Sequence, residues 1–259
     1  MSVHREQVAR VGVVTIVRPG RRNAVDRPTA EALRAAIDDF DAAPDIDVIV
    51  LTGADGTFCA GADLTAFDDA DRRNALTPDL RGPMGPTRRH PGVPVIAAVE
   101  GHAVAGGFEL ALWADLRVVA RDAVFGVSCR RVGVPLIDGG TVRLPRIVGL
   151  GVALDLILTG RDVGADEAQR IGLATLVVES GTARAEALVL AERLAAFPQQ
   201  TLRADLRAAR AAFDTPLDDA LLAEHRGGVT ALEQGGADVG VQAFVSGAGR
   251  HGAPIDLAP

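Results

Sequence analysis

One stretch limits the choice of fold more than any other: residues 93–120, VPVIAAVEGHAVAGGFELALWADLRVVA. It opens with an apolar run, Val95–Glu100, and closes with another, Leu116–Ala120. Between them a glycine-bearing turn leads into a helix whose residues Phe108, Leu110, Ala111, Leu112 and Trp113 leave little room for a solvated face. A helix that is apolar all round is buried. Strands that are apolar throughout belong to sheets covered on both faces. The segment therefore demands a layered α/β interior, and it puts one carboxylate, Glu109, inside it.

The rest of the first two-thirds repeats the alternation. Val11–Val17 and Val48–Thr52 are strand-length apolar runs. Pro28–Ala42, between them, carries Ala32, Leu33, Ala36, Ile37 and Phe40 at helical spacing. Asp26 is the expected N-cap, with Pro28 near the first turn. Residues 68–92, rich in Arg, Asp, Pro and Gly, offer few core positions and read as a mobile loop or short irregular helix flanking a site. Past Leu144 the pattern turns helical, over Leu150–Leu158, Ala165–Ile171, Ala183–Ala196, Gln200–Phe213, Pro216–His225 and Ala237–Val245. The layout is α/β followed by a helical C-terminal third.

The 259 residues, 48% of them hydrophobic, suit one sizeable domain or a domain with an appendage, and exclude a disordered chain. No uncharged apolar run approaches the ~18 residues that span a bilayer. The N-terminus lacks the apolar core and cleavage site of a signal peptide, so the expected setting is cytoplasmic, with no membrane partner. A net charge of −7 argues against a nucleic-acid partner. Cys59 and Cys129 form neither a disulfide framework nor a zinc site.

The chain has no lysine and no tyrosine. That excludes Schiff-base aldolases, enzymes holding pyridoxal phosphate through a lysine, and P-loop nucleotidases. Carboxylates, histidines, thiols, hydroxyls and the backbone remain. GLGVALD at 149–155 lacks the third glycine of a dinucleotide fingerprint, and HExxH, GxSxG and EF-hand patterns are missing. His4, His90, His225 and His251 read as surface or packing residues, and no metal-ligand cluster is visible.

Two segments differ in kind: TGADGTFCAGADLTAF (52–67), which follows an expected strand, and the 93–120 segment. In each, glycine and alanine let the backbone approach a ligand closely and aim N–H groups at it. The helix beginning near Gly106 adds the positive end of its dipole. Two N–H groups converging on one oxygen form an oxyanion hole.

These motifs resemble the crotonase, or enoyl-CoA hydratase/isomerase, superfamily. RPGRRNAVD (18–26), FCAGADL (58–64), PVIAAVEGHAVAGGFELALWAD (94–115), FGVSCRRVGVPLIDGGTVRLPRIVG (125–149) and ALDLILTGRDVGADEAQRIGLATLVV (153–178) follow one another in that family's order. The resemblance covers nearly the whole chain. It implies an α/β fold, a crotonase-like spiral of ββα units over 1–196, with a C-terminal helical region over 197–259 that mediates trimers, often paired into hexamers. It implies an acyl-coenzyme A substrate and no other cofactor. The oxyanion hole would be the N–H groups of Ala62 and Gly106. The coenzyme A would run past Arg21, Arg22 and Ala24, with adenine near Ala60, Ala62 and Leu64, and with Asp63 and Cys129 also in the binding site. Where the family often has a basic residue, this chain has Thr65, so Arg21 or Arg22 must supply more of the phosphate contact.

Glu109 falls on one of the two family glutamates that handle water. The second falls on Cys129, whose thiol is a poor substitute at neutral pH unless Arg130 and Arg131 lower its pKa. A small buried thiol is the plainer reading. Asp138, nine residues on, is the compensating candidate; it also suits an N-cap for the helix of 139–148. The resemblance thus implies an enoyl-CoA hydratase with Glu109 and Asp138 as its acids. An isomerase, a thioester hydrolase or a weakly catalytic acyl-CoA-binding protein are the alternatives, and RNA binding is disfavoured by the acidic balance.

Overall fold

The computed structural model describes residues 2–77 and 82–249. His251 and the end of the C-terminal region therefore lie outside the described residues, as do positions 78–81 of the polar stretch.

The chain opens with β1 (Val3–Val8), β2 (Val11–Ile16), α1 (Arg27–Ala42) and β3 (Val48–Gly53). It continues through β4 (Val95–Val99), β5 (His102–Val104), α2 (Gly106–Trp113), β6 (Leu116–Ala120) and β7 (Val124–Gly126). Next come α3 (Gly140–Val148), α4 (Leu150–Thr159), β8 (Asp162–Gly164), α5 (Ala165–Arg170) and β9 (Leu176–Val178). Four helices end it: α6 (Ala183–Ala195), α7 (Gln199–Ala211), α8 (Leu217–Glu233) and α9 (Asp238–Val245).

A six-stranded sheet runs β1-β2-β3-β4-β6-β9. Only β1 and β2 pair antiparallel in it; the remaining neighbours are parallel. Its central strands β3 and β4 are buried along almost their whole length, as their unbroken apolar runs require. Helix α6 lies against β3, β4 and β6, and α1 against β1 and β2. A smaller sheet, β5-β7-β8, stands beside α2.

Asp26 caps α1 as expected, its side chain accepting from the Thr29 amide at 3.2 Å. Three segments depart from the sequence reading. β1 went unread, because its VHREQV pattern buries only Val3 fully and exposes polar residues at the sheet edge. α8 extends well past His225, since Gly227 and Gly228 continue the helix. The third is the polar stretch, where Gly82–Thr87 is buried and Met84 belongs to the core. Gly85 packs so closely on α1 that a Cβ there would stand 2.5 Å from the Ala30 carbonyl oxygen.

Two arginines of α7 tie it to the core: Arg203 donates to the Ile46 carbonyl at 3.1 Å and to the Asp47 carboxylate at 2.7 Å, and Arg210 makes a second set of bonds. Arg210 of α7 donates to both carboxylate oxygens of Asp115, at 2.8 and 2.6 Å, and to the Pro91 carbonyl at 2.6 Å. Asp115 follows α2 directly and accepts from the Val95 amide at 2.7 Å. His90 packs here, its ring 5.7 Å from that of Trp113. Burial first, then Arg210 and Arg143, push its pKa to about 4, which keeps it neutral.

Candidate active site

The two glycine-bearing turns meet. Gly61, at φ +96°, lies so near the start of α2 that a Cβ on it would be 2.9 Å from the Gly106 nitrogen. A Cβ on Gly107 would be 2.1 Å from the Cys59 carbonyl oxygen. Ala105, the residue before α2, adopts φ 52° and ψ −125°, a conformation costly for a residue with a Cβ. The first turn is held from below: Val25 donates to the Gly61 carbonyl at 2.8 Å, and Asp63 donates to the Val25 carbonyl at 2.9 Å. Those bonds use the groups on either side of Ala62. Among the described residues, the Ala62 and Gly106 amides donate to no protein acceptor.

A partly buried charge network locks this turn to the N-terminal motif. Arg18 contacts Asp26 and Asp63, each at 2.9 Å, and Arg72 contacts the same two carboxylates at 3.0 and 3.2 Å. Burial pushes the Asp63 carboxyl up, but bonds from Thr65 and Arg18 outweigh it and hold it below the usual range. Asp63 also caps the short helical turn Leu64–Ala66, accepting from Thr65 at 3.1 Å.

A cavity of about 310 Å³ opens at the meeting of the turns. Of the residues expected at the site, Ala60, Ala62, Asp63, Leu64, Gly106, Glu109, Cys129 and Asp138 line it. Arg21, Arg22 and Ala24 do not. Arg21 and Arg22 are exposed and form no ion pair among the described residues. The Arg22 carbonyl nonetheless accepts from the Ala60 amide at 3.1 Å, so this motif supports the cavity floor through its backbone. Ala24 is buried and its carbonyl accepts from Arg18.

Glu109 sits one turn into α2 and is 3% exposed. Its Oε1 accepts from the amides of Asp138 and Gly140, each at 2.8 Å. Burial, countered by the Gly140 amide and reinforced by the charge of Asp138, raises its pKa from 4.5 to about 7. Such a group exchanges protons readily at neutral pH.

Asp138 is 2% exposed. It does not cap α3, whose N-cap is Gly139 with no side-chain bond. Glu109 meets the open end of that helix instead. The Asp138 Oδ1 accepts from the Met84 amide at 3.0 Å and from the Thr87 hydroxyl. Burial raises its pKa, against the opposing bonds from Thr87 and Met84. Cys129 is also buried, and burial followed by the charge of Glu109 pushes its thiol up. Arg130 and Arg131 do not reverse this, so Cys129 stays protonated and carries no nucleophile at neutral pH.

Met84, Thr87 and Arg143, which hold the Asp138 turn, escaped the sequence reading. Thr87 lies in a run of Pro, Gly and Arg, and no local spacing marks its contact with a residue 51 positions away. Among the described residues, no three His, Cys, Asp or Glu side chains converge as a metal site requires.

A family model described as enoyl-CoA hydratase/isomerase matches residues 6–247. The chain belongs to that family. A probable enoyl-CoA hydratase of Mycobacterium bovis is 35% identical over 243 residues, 94% of this chain and 93% of the relative. The crystal structure of enoyl-CoA hydratase EchA1 from Mycobacterium marinum superposes with a TM-score of 0.90 at 36% identity, over 95% of this chain and 96% of that one. An enoyl-CoA hydratase structure from Mycobacterium tuberculosis gives a TM-score of 0.90 at 37% identity, over 95% and 96%. The crotonase fold expected from the motifs is the fold of this enoyl-CoA hydratase/isomerase family member.

Proposed function

We propose that this family member is an enoyl-CoA hydratase, adding water across the double bond of a 2-enoyl-CoA. One observation carries the reading: two amides without a protein acceptor and a carboxyl titrating near neutrality line a single cavity. The thioester oxygen accepts from the Ala62 and Gly106 amides, which stabilise the negative charge gained as an enolate forms. The carboxyl pair holds one proton, and the reacting form is the one with that proton on Asp138 and Glu109 ionised. Glu109 takes a proton from water as the water oxygen bonds Cβ. The π pair moves toward the thioester, and Asp138 gives the shared proton to Cα. The proton on Glu109 then restores Asp138. Coenzyme A enters as part of the substrate, and the scheme uses no other cofactor. Arg21 and Arg22, exposed beside the cavity floor, suit its phosphates.

The thiol at Cys129 favours a second reading, an isomerase moving a proton between carbons of the acyl chain without water. Both are tested by following the conjugated thioester absorbance with 2-enoyl-CoAs, from crotonyl-CoA to longer chains, and with 3-enoyl-CoAs. Loss of absorbance from the 2-enoyl series, reduced about 10²–10⁴-fold in Glu109→Gln, supports hydration. Gain of absorbance from the 3-enoyl series alone supports isomerisation. Tight binding with turnover of neither leaves an acyl-CoA-binding protein.

Assembly is a trimer, or a hexamer of two trimers, in this proposal. The support is the exposed apolar surface of the last helices, which includes Leu217, Leu221, Leu232, Val241 and Phe244.

A further inference from the structure

We infer that Thr87 is a positioning residue for Asp138: its hydroxyl pins Oδ1, so that Oδ2, and the proton it carries in the reacting form, face the cavity. The inference rests on the reading of Asp138 as the second acid.

Residues 82–88 are stitched to the turn before α3. Met84 and Thr87 both donate to the Asp138 Oδ1. Arg88 donates to the Ile137 carbonyl at 2.9 Å. Arg143 bridges the two segments, donating to the carbonyls of Asp138 at 2.8 Å and Thr87 at 2.5 Å. Thr87 is 1% exposed, and its hydroxyl occupies a socket that only glycine at position 82 leaves open. A Cβ on Gly82 would lie 1.8 Å from the Thr87 Oγ1 and 2.7 Å from the Asp138 Oδ1.

The two oxygens of a carboxyl are equivalent in water, and the proton takes either. Here two donors point at one of them. A proton on Oδ1 would displace at least one of those bonds, so it resides on Oδ2. Glu109 is arranged in the same way, with Oε1 held by two amides and Oε2 left over. One residue joins the pair: the Asp138 amide holds Glu109, while the Asp138 carboxyl is held by Thr87. In the addition step the Oδ2–H bond breaks as the Cα–H bond forms, and its electron pair stays on Oδ2. Without the Thr87 hydroxyl only the Met84 amide holds Oδ1, and the Asp138 proton is less tightly aimed.

The test compares Thr87→Val, Thr87→Ser and Asp138→Asn in the full-length protein, with the enoyl-CoA turned over fastest, across about pH 5 to 9. Thr87→Val should lower kcat by on the order of tenfold to a hundredfold while KM changes less than about twofold. The alkaline limb of its pH profile should move upward, because Asp138 loses a bond that favours its ionised form. Thr87→Ser should restore both. A carbon-13 titration of the Asp138 carboxyl reads the same upward shift without turnover. If Thr87→Val does not fold, Thr87→Cys, with a weaker donor in similar space, should show the same changes at smaller size. Wild-type kcat and pH limb in the Thr87 variant, with Asp138→Asn inactive, would overturn the inference. Wild-type turnover by Asp138→Asn would instead remove Asp138 as the acid.

Discussion

Glu109 sits in a location unfavourable to its charge, and the cost has a measurable signature. Its pKa is raised from 4.5 to about 7, so the folded protein holds a proton that the unfolded chain releases. Below pH 4.5 both states are protonated and stability is whole. Between 4.5 and 7 the unfolded chain alone ionises, and stability falls; above 7 the loss is complete, roughly 3 kcal/mol. Glu109→Gln keeps an oxygen for the two amides and removes the titration. Its stability should match the wild type near pH 4.5 and exceed it by roughly that amount at pH 8. Denaturant unfolding at the two pH values checks this; a constant difference would contradict it.

At the scale of elements, the site is a contact between two turns. Gly61→Ala puts a methyl group against the Gly106 nitrogen and a Cβ where φ is +96°. The turns must separate, and kcat should drop at least about tenfold, with a stability loss of about 1–3 kcal/mol. Steady-state kinetics and thermal unfolding measure the two effects, and an unaltered kcat would show that the turns need not touch. These turns were readable because glycine, alanine and one apolar-flanked carboxylate are local signals. The strands were readable for the same reason, as unbroken apolar runs. Segment 82–87 was not, because its burial comes from Ala30 and Asp138, far away in sequence, and its composition is that of a loop. The Asp138 partnership was hidden likewise, and its acid candidacy came from family position alone. The departure at Cys129 was visible in the letters; that its thiol remains protonated required the neighbouring charge of Glu109.

At the scale of the molecule, the last helices pack on the core sparingly and leave apolar side chains in water. Leu221 and Phe244 are each 54% exposed. Sedimentation equilibrium should give a mass of three or six chains, and Leu221→Asp with Phe244→Asp should reduce it; a wild-type monomer would refute the proposed assembly. Arg210 ties the C-terminal helices to the candidate site. By holding Pro91 and Asp115 together, it braces the end of α2 and the segment that leads back to Thr87. In the proposed assembly, subunit contacts and the proposed proton transfer share one mechanical link, so a subunit that loses its neighbours would also loosen its grip on Glu109 and Asp138.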